Sequence, residues 1–406
     1  MDRASLLARA ARVQSSNRIN VFMASGVDLI IGKREGFKIY DIDGTPYWDC
    51  HLNGGTYSFG HRHPLLVDAL MTALAKLDIG NHHFVSPHRV DLAEALAAST
   101  PGDLVSTVYA SGGGEAVDIA IRSARRATGK RKILAFDRAY HGRTGLSGAA
   151  GDDSAAAYFL SDMPDEFVKL PFNDFAALER VFVDHDLAGA LVEIIPATYG
   201  FPTPAPGFLP RLKQLCVDHK IPFISDEVQT GLGRTGKLWG CEAFGVEPDM
   251  LITGKSLSGG LYPISACVLG ARYAAWLADN GWGHVSTFGG AEPGCVVGLE
   301  VLKLAQSREV SERTAALSQI FAEGFAHLRQ RHPFLKDVRQ TGLVMGLEFD
   351  APAGGAQMMK ALYDEGIWAI VANFDSAVLQ FKPGLLLTDD DAAEILGRFE
   401  RALERQ

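Results

Sequence analysis

No apolar run of twenty residues occurs in this sequence, and no C-x-x-C pair. The first absence leaves nothing long enough to cross a bilayer as a helix. The opening stretch MDRASLLARAARVQSSNRIN also lacks the extended apolar region of a secretory leader; it reads as a capping or dimer-contact helix. The cysteines, Cys50, Cys216, Cys241, Cys267 and Cys295, are odd in number and scattered. That pattern argues against a disulfide framework and offers no zinc-ligand spacing, so a reducing cytoplasm and no metal are expected. Basic residues are in deficit: 39 Lys and Arg stand against 48 Asp and Glu, a formal net charge of −9. Such a surface has no general attraction for nucleic acid or an anionic membrane, and neither is expected as a partner. Repeats, low-complexity tracts and flexible linkers are missing too. The one proline-rich piece, GFPTPAPGFLP from Gly200, reads as an ordered loop.

What is present is a chain of 406 residues, 47% hydrophobic, with 43 glycines, long enough for two domains and a sizeable core. Between about residues 60 and 300, short β-rich runs alternate with helical patterns, the mark of βαβ units and a mostly parallel sheet. Beyond that, SERTAALSQIFAEGFAHLRQ leads into TGLVMGLEFD, SAVLQFKPGLLLT and a last amphipathic helix, which predicts a small α+β domain. Near the start, FKIYDIDGTPYWDC alternates apolar and polar residues about Asp43-Gly44, a hairpin signal, and is expected to pack with that small domain. The expected division is an N-terminal segment 1–58, a large domain 59–300 and a small domain 301–406.

Five apolar runs of the large domain end in polar chemistry. In STVYASGGGEAVDIAIRSARRATG a strand to about Ala110 meets a glycine run and then a helix, so backbone N–H groups and a helix N-terminus can hold an anion. In KILAFDRAYHGRTG the strand Ile133 to Phe136 precedes Tyr140, His141 and Arg143: an aromatic able to stack on a ring, and a guanidinium suited to a carboxylate. GALVEII carries Glu193. In IPFISDEVQTGLGRTG the strand Ile221 to Ser225 delivers Asp226, followed by Val228 and Gln229, and a carboxylate there can keep a ring nitrogen protonated. In DMLITGKSLSGG the strand Met250 to Thr253 is broken by Gly254, setting Lys255 at a strand end, where α/β sheets bind ligands and where burial can make a lysine nucleophilic. Each piece alone is also compatible with a tight turn, an interfacial tyrosine, a helix-capping Asp or a loop lysine. Together they supply a phosphate cradle, a ring platform, a pyridinium partner and an aldehyde anchor, the four needs of pyridoxal phosphate (PLP).

With these residues in view, the chain resembles the class III, ornithine/4-aminobutyrate-type PLP-dependent aminotransferases. The resemblance is carried by REGFKIYDIDGTPYWDC, GHRHP, SGGGEAVDIAIRSAR, YHGRTG, DEVQTGLGRTG, PDMLITGKSLSGG, STFGG and LQFKPGLLLT, nearly the whole length. It implies the fold-type I architecture, a large mostly parallel-sheet domain with a small α+β domain, and transamination between an amino donor, expected to carry an ω-amino group, and a 2-oxo acid. It implies Lys255 as Schiff-base lysine and proton shuttle, Asp226 on the pyridine nitrogen, and Tyr140 and Val228 on the two ring faces. Gln229 is implied near the ring hydroxyl, Gly113 and Gly114 on the phosphate, and Thr287 on the phosphate of the partner subunit in a homodimer. His141 and Glu193 are counted among the cofactor contacts. Three departures from the family pattern stand out: Gly114 replaces a hydroxyl residue, Thr198 stands where a gating glutamate is usual, and Gln380 where an arginine is usual. The missing charge pair predicts a substrate pocket formed by Arg143, Thr198, Tyr199 and Gln380 that prefers a monocarboxylic acceptor such as pyruvate, unless Lys382, on the same strand face as Gln380, restores the charge. Amino-acid racemases and dialkylglycine-type decarboxylases share these motifs and remain alternatives. A scaffold that has kept the fold without the chemistry is a third, which the presence of Lys255, Asp226 and Tyr140 disfavours.

Overall fold

The computed structural model describes residues 2–406. Near the N-terminus, strands β1 (Ile31–Glu35), β2 (Lys38–Asp41) and β3 (Pro46–Asp49) form an antiparallel meander. Gly44, with φ +91°, takes the left-handed position at the β2–β3 turn that a side chain would strain.

The large sheet follows: β4 (Leu104–Ala110), β5 (Lys132–Phe136), β6 (Phe167–Leu170), β7 (Leu187–Glu193), β8 (Phe223–Asp226), β9 (Met250–Thr253) and β10 (Ser265–Gly270). Their spatial order is β4-β10-β9-β8-β7-β5-β6, with β10 antiparallel to both neighbours and the rest parallel. Every residue of β7, β8 and β9 is buried, which is why these strands read as unbroken apolar runs rather than alternating ones. The helix Gly113–Thr128 covers one face with Ala116, Ala120, Ile121 and Ala124 and ends on Gly129 at φ +71°. Strand β8 starts later than expected, at Phe223. Pro222, lacking an N–H, cannot donate to the ladder at that end, and at the other end pairing with both neighbours carries the strand through Asp226, which is its last residue rather than the first of the loop. Parallel register then sets Glu193 opposite Asp226, and Asp226 opposite Ile252.

The C-terminal portion carries β11 (Leu335–Thr341), β12 (Val344–Phe349), β13 (Ile367–Trp368), β14 (Ile370–Ala372) and β15 (Asp375–Phe381). Four of them form an antiparallel sheet, β11-β12-β15-β14, while β13 pairs parallel with β3 and so joins the N-terminal meander to this part of the chain. Phe325 meets Phe321, Phe381 and Phe399 beneath that sheet. The helix Glu292–Ala305 runs across residue 300.

Candidate active site

A cavity of about 180 Å³ opens at the carboxyl ends of the central strands. Its wall includes Gly113, Gly114, Tyr140, His141, Glu193, Asp226, Val228, Gln229 and Lys255, nine positions expected from the sequence, with Gly142, Ile195 and Thr230 added. Strand order accounts for the convergence, since β5, β7, β8 and β9 are adjacent: Glu193 and Asp226 are the last residues of β7 and β8, and Tyr140, His141 and Lys255 follow within a few residues of the ends of β5 and β9.

Lys255 follows β9 after Gly254, where a Cβ would meet Ser265 Oγ at 2.5 Å. Its own φ is +42°, a left-handed backbone that a side chain adopts only when the surroundings hold it there. Burial lowers the proton affinity of its amine, and the carboxylates of Asp226 and Glu193 oppose that shift. Asp226 is buried; one carboxylate oxygen lies 2.8 Å from His141 Nδ1 and the other accepts the Val228 N–H at 3.1 Å. An ionised carboxylate only accepts, so the proton of this contact sits on Nδ1. His141 Nε2 is buried without a hydrogen-bond partner. Glu193 accepts the backbone N–H of Tyr140 at 2.7 Å and that of Ala197 at 3.2 Å. Burial pushes its pKa up to about 7, with His141 opposing and Asp226 reinforcing. Glu193 therefore fixes the backbone of Tyr140.

At the glycine run no side chain caps the helix Gly113–Thr128, leaving its first N–H groups bare at the cavity. A Cβ on Gly114 would come within 3.2 Å of both Thr144 Oγ1 and Ser147 Oγ. The hydroxyl missing at position 114 thus has two hydroxyls beside its place, both from the segment after YHGR, where nothing in the local pattern marks them. A Cβ on Gly142 would strike Gly114 Cα at 2.8 Å, so the two turns pack backbone to backbone. Gln229 Oε1 is buried and unpartnered. Bare helix N–H groups, an orphaned amide oxygen and a carboxylate–lysine pair in one cavity match the phosphate, hydroxyl, ring nitrogen and aldehyde of PLP, so the residues present fit that group.

One wall has no counterpart among the expected residues. Leu52, Asn53, Gly54 and Gly55 have φ of 53°, 50°, 72° and 91°, a left-handed run that folds the N-terminal segment onto the lysine. A Cβ on Gly54 would lie 2.9 Å from Lys255 Cε and 3.6 Å from Gln229 Oε1. Asp49 shapes this turn by accepting the N–H groups of His51 and Leu52 and by pairing with His61 Nε2 at 2.9 Å. Burial, Lys382 and Lys255 hold the His51 imidazole well below its ordinary pKa, so it stays neutral.

The substrate residues expected from the sequence do not line this cavity. Arg143 is exposed, its guanidinium 5.1 Å from the centre of the Tyr140 ring. Thr198 donates to Arg138 O at 3.1 Å, and the Arg138 guanidinium covers the Tyr199 ring at 4.6 Å. Gln380 and Lys382 do meet, Lys382 Nζ donating to Gln380 Oε1 at 3.0 Å, but Lys382 is completely buried and lies over the Phe201 ring at 4.8 Å. Thr287 is exposed, away from the cavity of its own chain.

Comparison with known proteins places this strand-end site in a family. The class III aminotransferase model matches residues 22–403. An uncharacterized aminotransferase of Archaeoglobus fulgidus is 41% identical over 99% of this chain and 94% of its own. The acetylornithine aminotransferase of Shewanella oneidensis is 32% identical over 91% of each chain. The ornithine aminotransferase of Toxoplasma gondii, in a structure with PLP partially occupying the active site, superimposes with a TM-score of 0.90 at 26% identity, covering 100% of this chain and 94% of that one. The chain belongs to the class III aminotransferases, and its reaction is PLP-dependent transamination.

Proposed function

We propose that this aminotransferase moves an ω-amino group from its donor to a monocarboxylic 2-oxo acid, with Lys255 as covalent cofactor anchor and proton carrier. The observation that carries this reading is the half-buried lysine, its proton affinity lowered, in one cavity with Asp226 and the bare helix N-terminus at Gly113. When bound, PLP supplies an electron sink for the pair released as the bond to the Cα proton breaks. Lys255 Nζ takes that proton and returns it on the cofactor side. Asp226, held by His141, would keep the ring nitrogen protonated. Gly113 and Gly114 would hold the phosphate, Tyr140, Val228 and Gln229 would hold the ring, and Glu193 keeps the Tyr140 backbone in place. Reduction of the loaded protein with borohydride, followed by peptide mapping, tests the anchor.

The likeness to acetylornithine aminotransferases supports the ω-amino donor. For the acceptor, Gln380 presents an amide whose oxygen is already taken by Lys382, and burial with the nearby Arg234 and Lys255 drives the Lys382 amine well towards its neutral form. An amide beside an amine whose charge burial disfavours gives a second carboxylate a weaker partner than a guanidinium would, which favours pyruvate over 2-oxoglutarate. Arg143, Thr198 and Tyr199 complete the entrance in this reading. The ratio of kcat/KM for the two acceptors tests it.

A homodimer belongs to the same proposal. Thr287 lies among exposed apolar side chains, Trp282 at 67%, Val285 at 52% and Phe288 at 57% exposure, a surface that a second copy would cover while receiving Thr287 at its phosphate site. The segments 1–58, 59–300 and 301–406 serve as cover, cofactor domain and substrate wall, a division supported by the seven-stranded sheet, which lies wholly within the second segment. A cytoplasmic setting is supported by five free, buried cysteines, and no described helix is long and apolar enough to cross a membrane.

A further inference from the structure

Arg234 is 1% exposed, and every hydrogen bond it makes goes to a neutral oxygen. A guanidinium buried without a carboxylate is costly, so a neutral side chain would be preferred if packing were its only task. Its contacts reach three segments far apart in sequence. Nη1 donates to Pro383 O, and to Leu343 O at 3.5 Å, both in the C-terminal portion. Nη2 donates to Ser58 Oγ at 2.7 Å, in the N-terminal segment. Ser58 Oγ also accepts from Ser256 Oγ at 2.6 Å and donates its own proton to Gly55 O at 2.7 Å. All donors and acceptors at Ser58 are then used, and Ser256 is the residue after Lys255.

This relay ends on the two strained pieces of backbone that face each other across the site. One is the left-handed run from Leu52 to Gly55, and the other is the left-handed Lys255 itself. Gly55 O, at the end of the first, is bonded by Ser58 and also contacted by Ser256 Oγ at the start of the second. The C-terminal portion grips the same point, since Leu385 N donates to Ser58 O and Leu343 N to Arg234 O, each at 2.9 Å. Gly342 has no room for a side chain there, because a Cβ would lie 2.4 Å from the Thr235 carbonyl carbon.

We propose that Arg234 is a positioning residue for Lys255, acting through Ser58 and Ser256 to hold the lysine turn in its left-handed backbone and to couple it to the seating of the C-terminal segment around Pro383. The inference rests on the reading of Lys255 as cofactor anchor. Releasing the relay lets the Lys255 turn relax and its amine reach water. The amine then regains protons at neutral pH and reacts more slowly with an aldehyde.

The test uses the full-length chain stripped of cofactor. Two quantities are read: the rate at which added PLP builds the absorbance of lysine-bound cofactor, and the pH profile of Lys255 modification by an amine reagent, located by peptide mapping. Ser256→Ala and Ser58→Ala should capture PLP about tenfold more slowly, with the modification profile displaced upward by about one pH unit. Arg234→Lys keeps a charge but not the fork and should behave alike. Combined with Ser256→Ala, it should be no slower than the slower single variant, as expected of one chain of contacts. Ser256→Thr keeps the hydroxyl and should recover most of the rate. Thr253→Ala, which removes a buried hydroxyl without a partner two residues before Lys255, should change neither quantity. If Ser256→Ala and Ser58→Ala capture PLP at the parent rate with an unmoved profile, the proposal is overturned, and Arg234 merely ties segments together even if Arg234→Lys unfolds. If the parent protein itself forms no lysine-bound cofactor, the reading of Lys255 fails, and the relay with it.

Discussion

The floor and the far wall of the site are held by opposite electrostatics. On the floor, Asp226 and Glu193 lie side by side at the ends of β8 and β7, and each carboxylate oxygen has a donor from His141 or from backbone N–H. On the wall, set back from the cavity lining, Lys382 and Arg234 are buried basic side chains whose partners are an amide and carbonyl or hydroxyl oxygens. The floor sets two carboxylates beside the lysine, and burial favours the protonated form of Glu193. On the wall burial works against both charges: the Arg234 pKa is pushed down to about 9, which still leaves the guanidinium protonated at neutral pH, and the Lys382 amine is held well below its ordinary value.

The largest change should come from the floor's nucleophile. Lys255→Ala is expected to lower turnover by at least about ten-thousandfold, ~5.5 kcal/mol, while PLP still binds non-covalently, read by single-turnover kinetics and equilibrium dialysis. Asp226→Asn removes the charge but keeps the shape, and kcat should drop by at least about a hundredfold. Near-normal turnover in that variant would erase the contrast between floor and wall. On the wall, Gln380→Arg should raise the 2-oxoglutarate to pyruvate ratio of kcat/KM by roughly ten- to a hundredfold, the value of a charge-assisted hydrogen bond. A parent enzyme already favouring 2-oxoglutarate tenfold would mean that another cation, with exposed Arg138 over Tyr199 as first candidate, serves the second carboxylate.

The smallest effect concerns stability. Glu193 is raised from 4.5 to about 7, so the folded protein binds a proton that the unfolded chain has released. Its contribution is complete below pH 4.5, declines as pH rises to about 7 and is constant above, a total on the order of 3 kcal/mol in the cofactor-free protein. Glu193→Gln should flatten that window in urea unfolding, and an unchanged slope would show that the carboxylate is ionised throughout.

Most of the floor is legible in the amino-acid sequence because buried parallel strands are unbroken apolar runs, and a polar residue at the end of one needs a reason. Lys255 after MLIT and Asp226 after FIS are of this kind. The wall is not legible in that way. Ser58 meets Arg234 across 176 positions and Ser256 across 198, and neither serine looks different from a loop serine locally. The left-handed run at Leu52 and Asn53 is equally hidden, since only the glycines after it announce such backbone. Lys382 illustrates the limit from the other side. Its pairing with Gln380 follows from strand alternation, but its complete burial depends on Phe201 and on the neighbouring segments.

The most direct test of the account is chemical trapping. The protein loaded with PLP is reduced with borohydride, digested and mapped by mass spectrometry. The pyridoxyl mass is expected on Lys255 alone, and should disappear in Lys255→Ala. A label on another lysine, or a loaded protein that reduction leaves unlabelled, would contradict it.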